Sequence, residues 1–348
     1  MFFYVKKIMK YRNLIFFLTL IVGLGVQAQD KERMADYQSQ IQQLITEVYE
    51  APTDNERYHA NEAVVQLFAE ALMEPNSIRW QWDFGTKISV LTSADKKFRI
   101  FTWPVVNDMG EYECFGYIQS YNEKTDAYDA YELNDMSEDI VNRQEAILAP
   151  ENWFGAVYQE LITTVNEGKT YYTLLGWSGV DYLTQRKVIE PVCFKGGGSM
   201  PQFGQNVFRK ERNLRRRVLE YRADAMVNMR YEEQFVRTVE RIRAKRVSRG
   251  RNRRNRRNNQ AIQEKVVSGP TQKIRDEKLR MIIFDEVEPQ VLGMEGLFQY
   301  YVPSGEEMAY VFEKGKWVLR EGAQGRSADK KLNKEFEPLQ KEAPAYQF

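Results

Sequence analysis

Two groups of side chains in this chain could do chemistry: carboxylates brought together in space, and a run of arginines. Asp285, Glu286 and Glu288 close an apolar stretch, Asp181 follows Trp177, and Asp126, Asp129 and Glu132 crowd one short stretch. Two acids held about 5–10 Å apart are the machinery of glycoside hydrolysis, and several converging acids hold Ca²⁺. Acids at strand ends are more often solvated turn residues, so an orphan glycan hydrolase is the alternative reading. Composition removes most other chemistries. The single histidine, His59, lies among polar residues and excludes any triad or metal cluster that needs two. Gly176-Trp177-Ser178-Gly179-Val180 lacks the last glycine of a G-x-S-x-G nucleophile elbow and leads into more strand pattern instead of a helix. The glycines at 196–198 have no following Lys-Ser/Thr and make no phosphate loop. Cys114 and Cys193 are too few for a zinc site and lack C-x-x-C spacing. In an oxidising compartment they could pair; as buried thiols they need not. No cofactor or metal is expected.

The arginines are the stronger signal. Residues 209–257 hold 19 Lys/Arg against 6 Asp/Glu, a net of +13 in a chain whose total is +1, so the remainder carries −12. At its end Arg249, Arg251, Arg253, Arg254, Arg256 and Arg257 alternate with glycine and asparagine. No aromatic residue follows Phe235 in this block, so it lacks the stacking groups of a single-strand nucleic-acid reader. Such a polyelectrolyte reads first as a solvated insertion without a partner; where it does make a contact, it fits an anionic envelope glycan, a lipid head group or an acidic partner protein, with nucleic acid made unlikely by export.

Export is read from the N-terminus. Lys6, Lys7, Lys10 and Arg12 precede an apolar run at 14–26, and Val26-Gln27-Ala28 has the small-x-small form of a signal-peptide cleavage site. Residues 1–28 are therefore expected to be removed, placing the protein in the periplasm or outside the cell. No later segment is long and apolar enough for a membrane helix.

The elements that must position these groups follow from periodicity. Between 31 and 50 the apolar positions Met34, Tyr37, Ile41, Leu44, Ile45 and Val48 recur at three and four, an amphipathic helix. Thr53 with Glu56 opens a second helix that Pro75 ends, so 29–76 reads as a helical hairpin. From residue 79 the period becomes two. Strands are expected at 87–91, 98–103, 111–121 and 128–133, with a loop or short exposed helix at 136–148. A strand is favoured over a helix before the turn at 166–168, leading into the stretch YYTLLGW at 171–177, which is apolar on both faces and so covered on both sides. A turn at 178–181 follows, then a strand at 186–194 whose Pro191 implies an edge or bulge. Further strands are expected at 206–208, 216–221, 226–231, 279–287, 298–302, 308–313 and 316–320. The basic block 232–274, with a helical first part built on Phe235, Val239 and Ile242 and a disordered Arg-rich second part, reads as an insertion between neighbouring strands. The six tryptophans all lie in or beside strands and belong mostly to cores.

The fold class is thus mainly β, an antiparallel sandwich or open barrel at 77–322 backed by the helical hairpin, with a mobile polar tail at 323–348. The strings DKKFRIFTW at 95–103, YYTLLGW and MIIFDEV at 281–287 resemble a family of uncharacterised secreted bacterial proteins. The resemblance spans 80–320 apart from the basic insertion. It implies export and transfers no functional residue. The expectation is a non-catalytic binding or envelope-associated structural protein.

Overall fold

The computed structural model describes residues 30–241, 272–321 and 326–327. The leader 1–28, the arginines Arg249, Arg251, Arg253, Arg254, Arg256 and Arg257, and the tail from 328 lie outside the described residues. Two helices lead, α1 (30–50) and α2 (Asp54–Met73). The Thr53 hydroxyl caps the helix by accepting the Glu56 amide and donates to the Glu56 carboxylate at 2.8 Å, so the Thr-x-x-Glu spacing gives the N-cap, with the glutamate on the hydroxyl instead of the Thr53 amide. Arg33, near the start of α1, meets Glu74, just past the end of α2, at 3.1 Å, so the two run antiparallel. Met34, Ile41, Ile45 and Val48 on α1 and Val64, Phe68, Ala71 and Leu72 on α2 form one buried stripe.

Antiparallel sheet makes up most of the rest. The first sheet has the order β1 (Ser89–Thr92), β2 (Phe98–Val106), β3 (Tyr112–Asn122), β4 (Ala127–Asn134). The second runs β5 (Val157–Asn166), β6 (Lys169–Gly179), β7 (Thr184–Phe194), β8 (Pro201–Phe203), with β9 (Arg217–Arg222) also on β7. The third runs β13 (Lys316–Glu321), β12 (Tyr301–Glu313), β11 (Gln272–Pro289), β10 (Met229–Arg241), β14 (Arg326–Ser327). Alternation along each strand decides what covers what. On β2, Phe101, Trp103 and Val105 join the helices, while Phe98 and Ile100 meet Tyr172 and Leu174 of β6. Leu175 on the other face of β6 meets the third sheet, where Ile282, Phe284, Tyr310 and Trp317 pack. The protein is therefore a stack of four layers, one of helices and three of sheet, and no sheet closes into a barrel. The stretch YYTLLGW is indeed covered on both sides, because its sheet is the middle one.

Several local expectations are corrected. The expected helix is strand over 232–241: β10 pairs with β11 in thirteen rungs from Met229↔Phe284 to Arg241↔Gln272. A long partner strand and the β-branched and aromatic run Tyr231, Phe235, Val236, Thr238 and Val239 outweigh the weak helical spacing. The segment between the two strands is consequently 242–271. Asn206–Phe208 forms only an isolated bridge, Phe208↔Trp317, and 298–300 is a 3-10 turn before β12. The turn expected at 178–181 starts later, since β6 stays paired through Gly179↔Gln185. Pro191 is on a central strand. β9 pairs with β7 only as far as Ile189 and β8 takes over from Val192, so the residue without an amide hydrogen falls in the gap between two partners. Arg326–Ser327, in the expected tail, pairs with Gln234 and Phe235 of β10.

Candidate functional site

Of the candidate carboxylates, Glu286 and Glu288 are exposed on β11, and the other five are drawn into local structure. Asp285 accepts the Asn228 amide at 2.8 Å and its side-chain amide at 3.1 Å, and a β-bulge follows it. Asp181 accepts the amides of Leu183 and Thr184, both at 2.8 Å, and so shapes the β6–β7 turn. Asp126 takes the Tyr121 hydroxyl at 2.5 Å, Asp129 takes Asn122 at 2.9 Å together with the Ser199 hydroxyl, and Glu132 takes Tyr117 at 3.1 Å. These are turn and cross-strand bonds, and they point the acids at backbone or neighbouring side chains. Among the described residues no three His, Cys, Asp or Glu side chains converge as a metal site. His59 is exposed with only Glu62 near it, at 3.9 Å. Cys114 and Cys193 are both free, Cys114 in the core between the first two sheets. Burial pushes its thiol well above the ordinary value, and the nearby Asp135 charge adds to this, which leaves it unreactive.

Four of the six tryptophans, Trp82, Trp103, Trp153 and Trp317, are core. Trp177 is different. It lines a pocket of about 360 Å³ with Tyr49, Thr86, Lys87, Pro104 and Val157. The position follows from strand lengths: β1 pairs with β2 only as far as Ser89↔Thr102, so Pro104, which pairs with Cys114 of β3 on its other side, has no β1 partner. Tyr49, in the last turn of α1 and 41% exposed, donates its hydroxyl to the Lys87 carbonyl at 2.8 Å. Lys87 in turn donates to Thr46 at 2.5 Å, which ties the helix end to the pocket wall. Trp177 is held by its indole N–H on Gln185 at 2.6 Å and by the edge of the Tyr112 ring, 5.3 Å away and near perpendicular. Two anchored aromatic rings in an open, shallow site can stack on an apolar face of a ligand. No carboxylate lines the pocket.

A second, charged groove flanks the 136–148 loop. Gln144 and Glu145 face Lys210, Glu211 and Arg212 on one side, and Arg143, Val218 and Glu220 on the other. Two of its acids are held by arginines, Glu211 by Arg217 and Glu220 by Arg186 at 2.8 Å, and Glu145 is exposed. Beneath it runs a network that the sequence reading missed. Glu190 and Arg216, both 0% exposed, pair at 2.6 Å. Tyr158 donates to the other Glu190 oxygen at 2.5 Å, and Trp153 donates to Tyr158 at 2.8 Å. Arg216 also reaches the carbonyls of Arg143 at 2.5 Å and Ala146 at 3.0 Å, so the pair fastens the loop to the second sheet. Burial first, and the Glu190 charge second, push the Tyr158 hydroxyl well up, so it stays a donor. Removing one partner of such a pair typically costs about 3–5 kcal/mol. The signal was a glutamate inside the apolar run Val188-Ile189-Glu190-Pro191-Val192 together with the triple arginine 215–217. Only the fold shows that they meet. Comparison of the chain with protein-family models, curated proteins and solved structures finds no match.

Proposed function

We propose that this is an exported binding protein of the cell envelope that works without a catalytic step and meets anionic partners through the Arg-rich segment between β10 and β11. The observation that carries the reading is how the acids are used. Asp126, Asp129, Glu132, Asp181 and Asp285 are each bonded into a turn or a strand pair, Glu286 and Glu288 are exposed on β11, and the pocket that the half-buried Trp177 lines has no acid beside it. A hydrolase needs the opposite arrangement, two acids facing one another across a substrate cleft. The leader pattern and the resemblance of three strand strings to secreted bacterial proteins point the same way. At the end of the β10–β11 arm, residues 242–271 carry ten Lys/Arg and one Glu. That charge density suits an anionic glycan, a lipid head group or an acidic protein surface.

The test is elution from a heparin column. The chain from Gln29 onward should be retained and should elute progressively earlier as salt screens the contact, and replacing 242–271 by Asn-Gly should abolish retention. Equal elution of the two forms would take the role away from the arginines.

A further inference from the structure

One end of the sheet stack is built from four loops: 107–111 between β2 and β3, 180–183 between β6 and β7, 223–228 between β9 and β10, and 290–300 between β11 and β12. They belong to all three sheets and touch in sequence. The Tyr112 amide donates to Val180 at 3.1 Å, the Ala223 amide to Leu183 at 2.8 Å, and Arg222 reaches Gln290 at 3.3 Å. This end is unusually apolar for a surface. Leu292 is 94% exposed, Met226 84%, Tyr182 75% and Met109 73%. A contiguous exposed apolar patch on a folded protein marks an interaction site.

The charge of the same loops narrows the partner. They contain Asp108, Glu111, Asp181, Asp224 and Glu295 and not one lysine or arginine. Arg57 and Arg222 pair with Asp108 and Asp224 from neighbouring elements, which still leaves the end negative. An acidic rim repels an anionic lipid surface and attracts a basic polypeptide. The chain itself carries such a polypeptide at its far end. β10 starts beside these loops at Met229 and carries the chain away for thirteen residues, about 40 Å at 3.3 Å per residue. Residues 242–271 leave and rejoin that arm at Arg241 and Gln272, the end far from the loops of the same copy, so a second copy is the better placed source. We propose that the four-loop end is the docking face for the Arg-rich segment of a second copy of this chain, giving head-to-tail association. This rests on the reading of that segment as an anion-seeking contact and names its acidic partner. Such a contact joins two different faces, so it builds a reciprocal antiparallel pair, a ring or an open chain.

The experiment uses the chain from Gln29 and two variants altered only at exposed loop positions or in the segment itself. One is Met226→Ser/Leu292→Ser/Glu295→Lys; the other has Asn-Gly in place of 242–271. In sedimentation velocity at low salt the wild type should associate with rising concentration, and the association should weaken about tenfold or more at high salt. Each variant alone should sediment as a monomer. Mixed, the two should form a one-to-one complex, because one keeps the arginines and the other keeps the loops. A monomeric wild type, association that persists in the loop variant, or loops that bind zwitterionic phospholipid vesicles in place of protein would each overturn the proposal. Heparin retention of the loop variant separates the two levels. Retention without self-association in the wild type refutes only the head-to-tail contact, and loss of both refutes the anionic reading as well.

Discussion

Asp135 stands where the end of the first sheet meets the turn into β5. Its two oxygens accept the amides of Cys114 and Ser137 at 2.8 and 2.9 Å. Gly155, at φ 71°, passes so close that a Cβ there would lie 2.1 Å from the carboxylate, which reserves the position for glycine twice over. Burial pushes the Asp135 carboxyl above its usual range, against the pull of the two backbone hydrogen bonds. The folded state therefore binds this proton more tightly than the unfolded chain does. Its contribution is fully present below the unfolded value and is lost as pH rises through the raised folded value. Asp135→Asn turns an amide donor toward one backbone donor and should cost about 1–3 kcal/mol. The wild type alone bears the charge penalty at higher pH, so the deficit of the variant should shrink from pH 4 to pH 7. Melting curves of both proteins across that range check it, and a deficit that widens with pH would show that the carboxylate is stabilised in the fold. Glu190 teaches the complementary lesson: a wholly buried acid already matched by Arg216 and Tyr158 stabilises a loop and has no free face for a substrate.

The strand elements were legible where two periods agreed. Between 98 and 133 and between 157 and 194, alternating apolar residues and short turns placed β2 to β4 and β5 to β7 within a few residues of their observed bounds. The reading failed where register pairing with a distant strand decides the conformation. Residues 232–241 have a weak helical spacing that loses to eighteen residues of β11, which lie beyond the basic segment. Alternation also reveals that Leu174 and Leu175 face opposite ways without revealing that two different sheets cover them. The pocket is illegible for the same reason, since Tyr49, Pro104 and Trp177 come from a helix and two sheets. The β10–β11 pairing carries its own prediction. Arg241 and Gln272 are direct partners, so an Asn-Gly turn can close the hairpin with no change of register. Loop shortening alters closure entropy only logarithmically. The melting temperature should stay within about 2–4 °C of wild type, a change of at most roughly 1 kcal/mol, and unfolding of that variant would place part of 242–271 in the core.

At the scale of the molecule, charge and shape are distributed along one axis. The helices cover one face of the stack, the middle sheet is shielded on both sides, and the acidic, apolar loops lie at the end opposite the direction in which β10 and β11 carry the arginines. This polarity is what a protein held on a charged surface, or joined to its own copies, would need. The proposed function requires that the protein is exported and that the arginines then hold it at the envelope. Cells producing the wild type or the 242–271 replacement are fractionated, and the fractions are washed with roughly 0.5 M salt, where the Debye length falls to about 4 Å. The prediction is a protein beginning at Gln29, found with the envelope and released by the salt wash, and a replacement variant that is processed at the same bond but free of the envelope before any wash. A chain that keeps Met1, or a replacement variant that partitions as the wild type does, would contradict it.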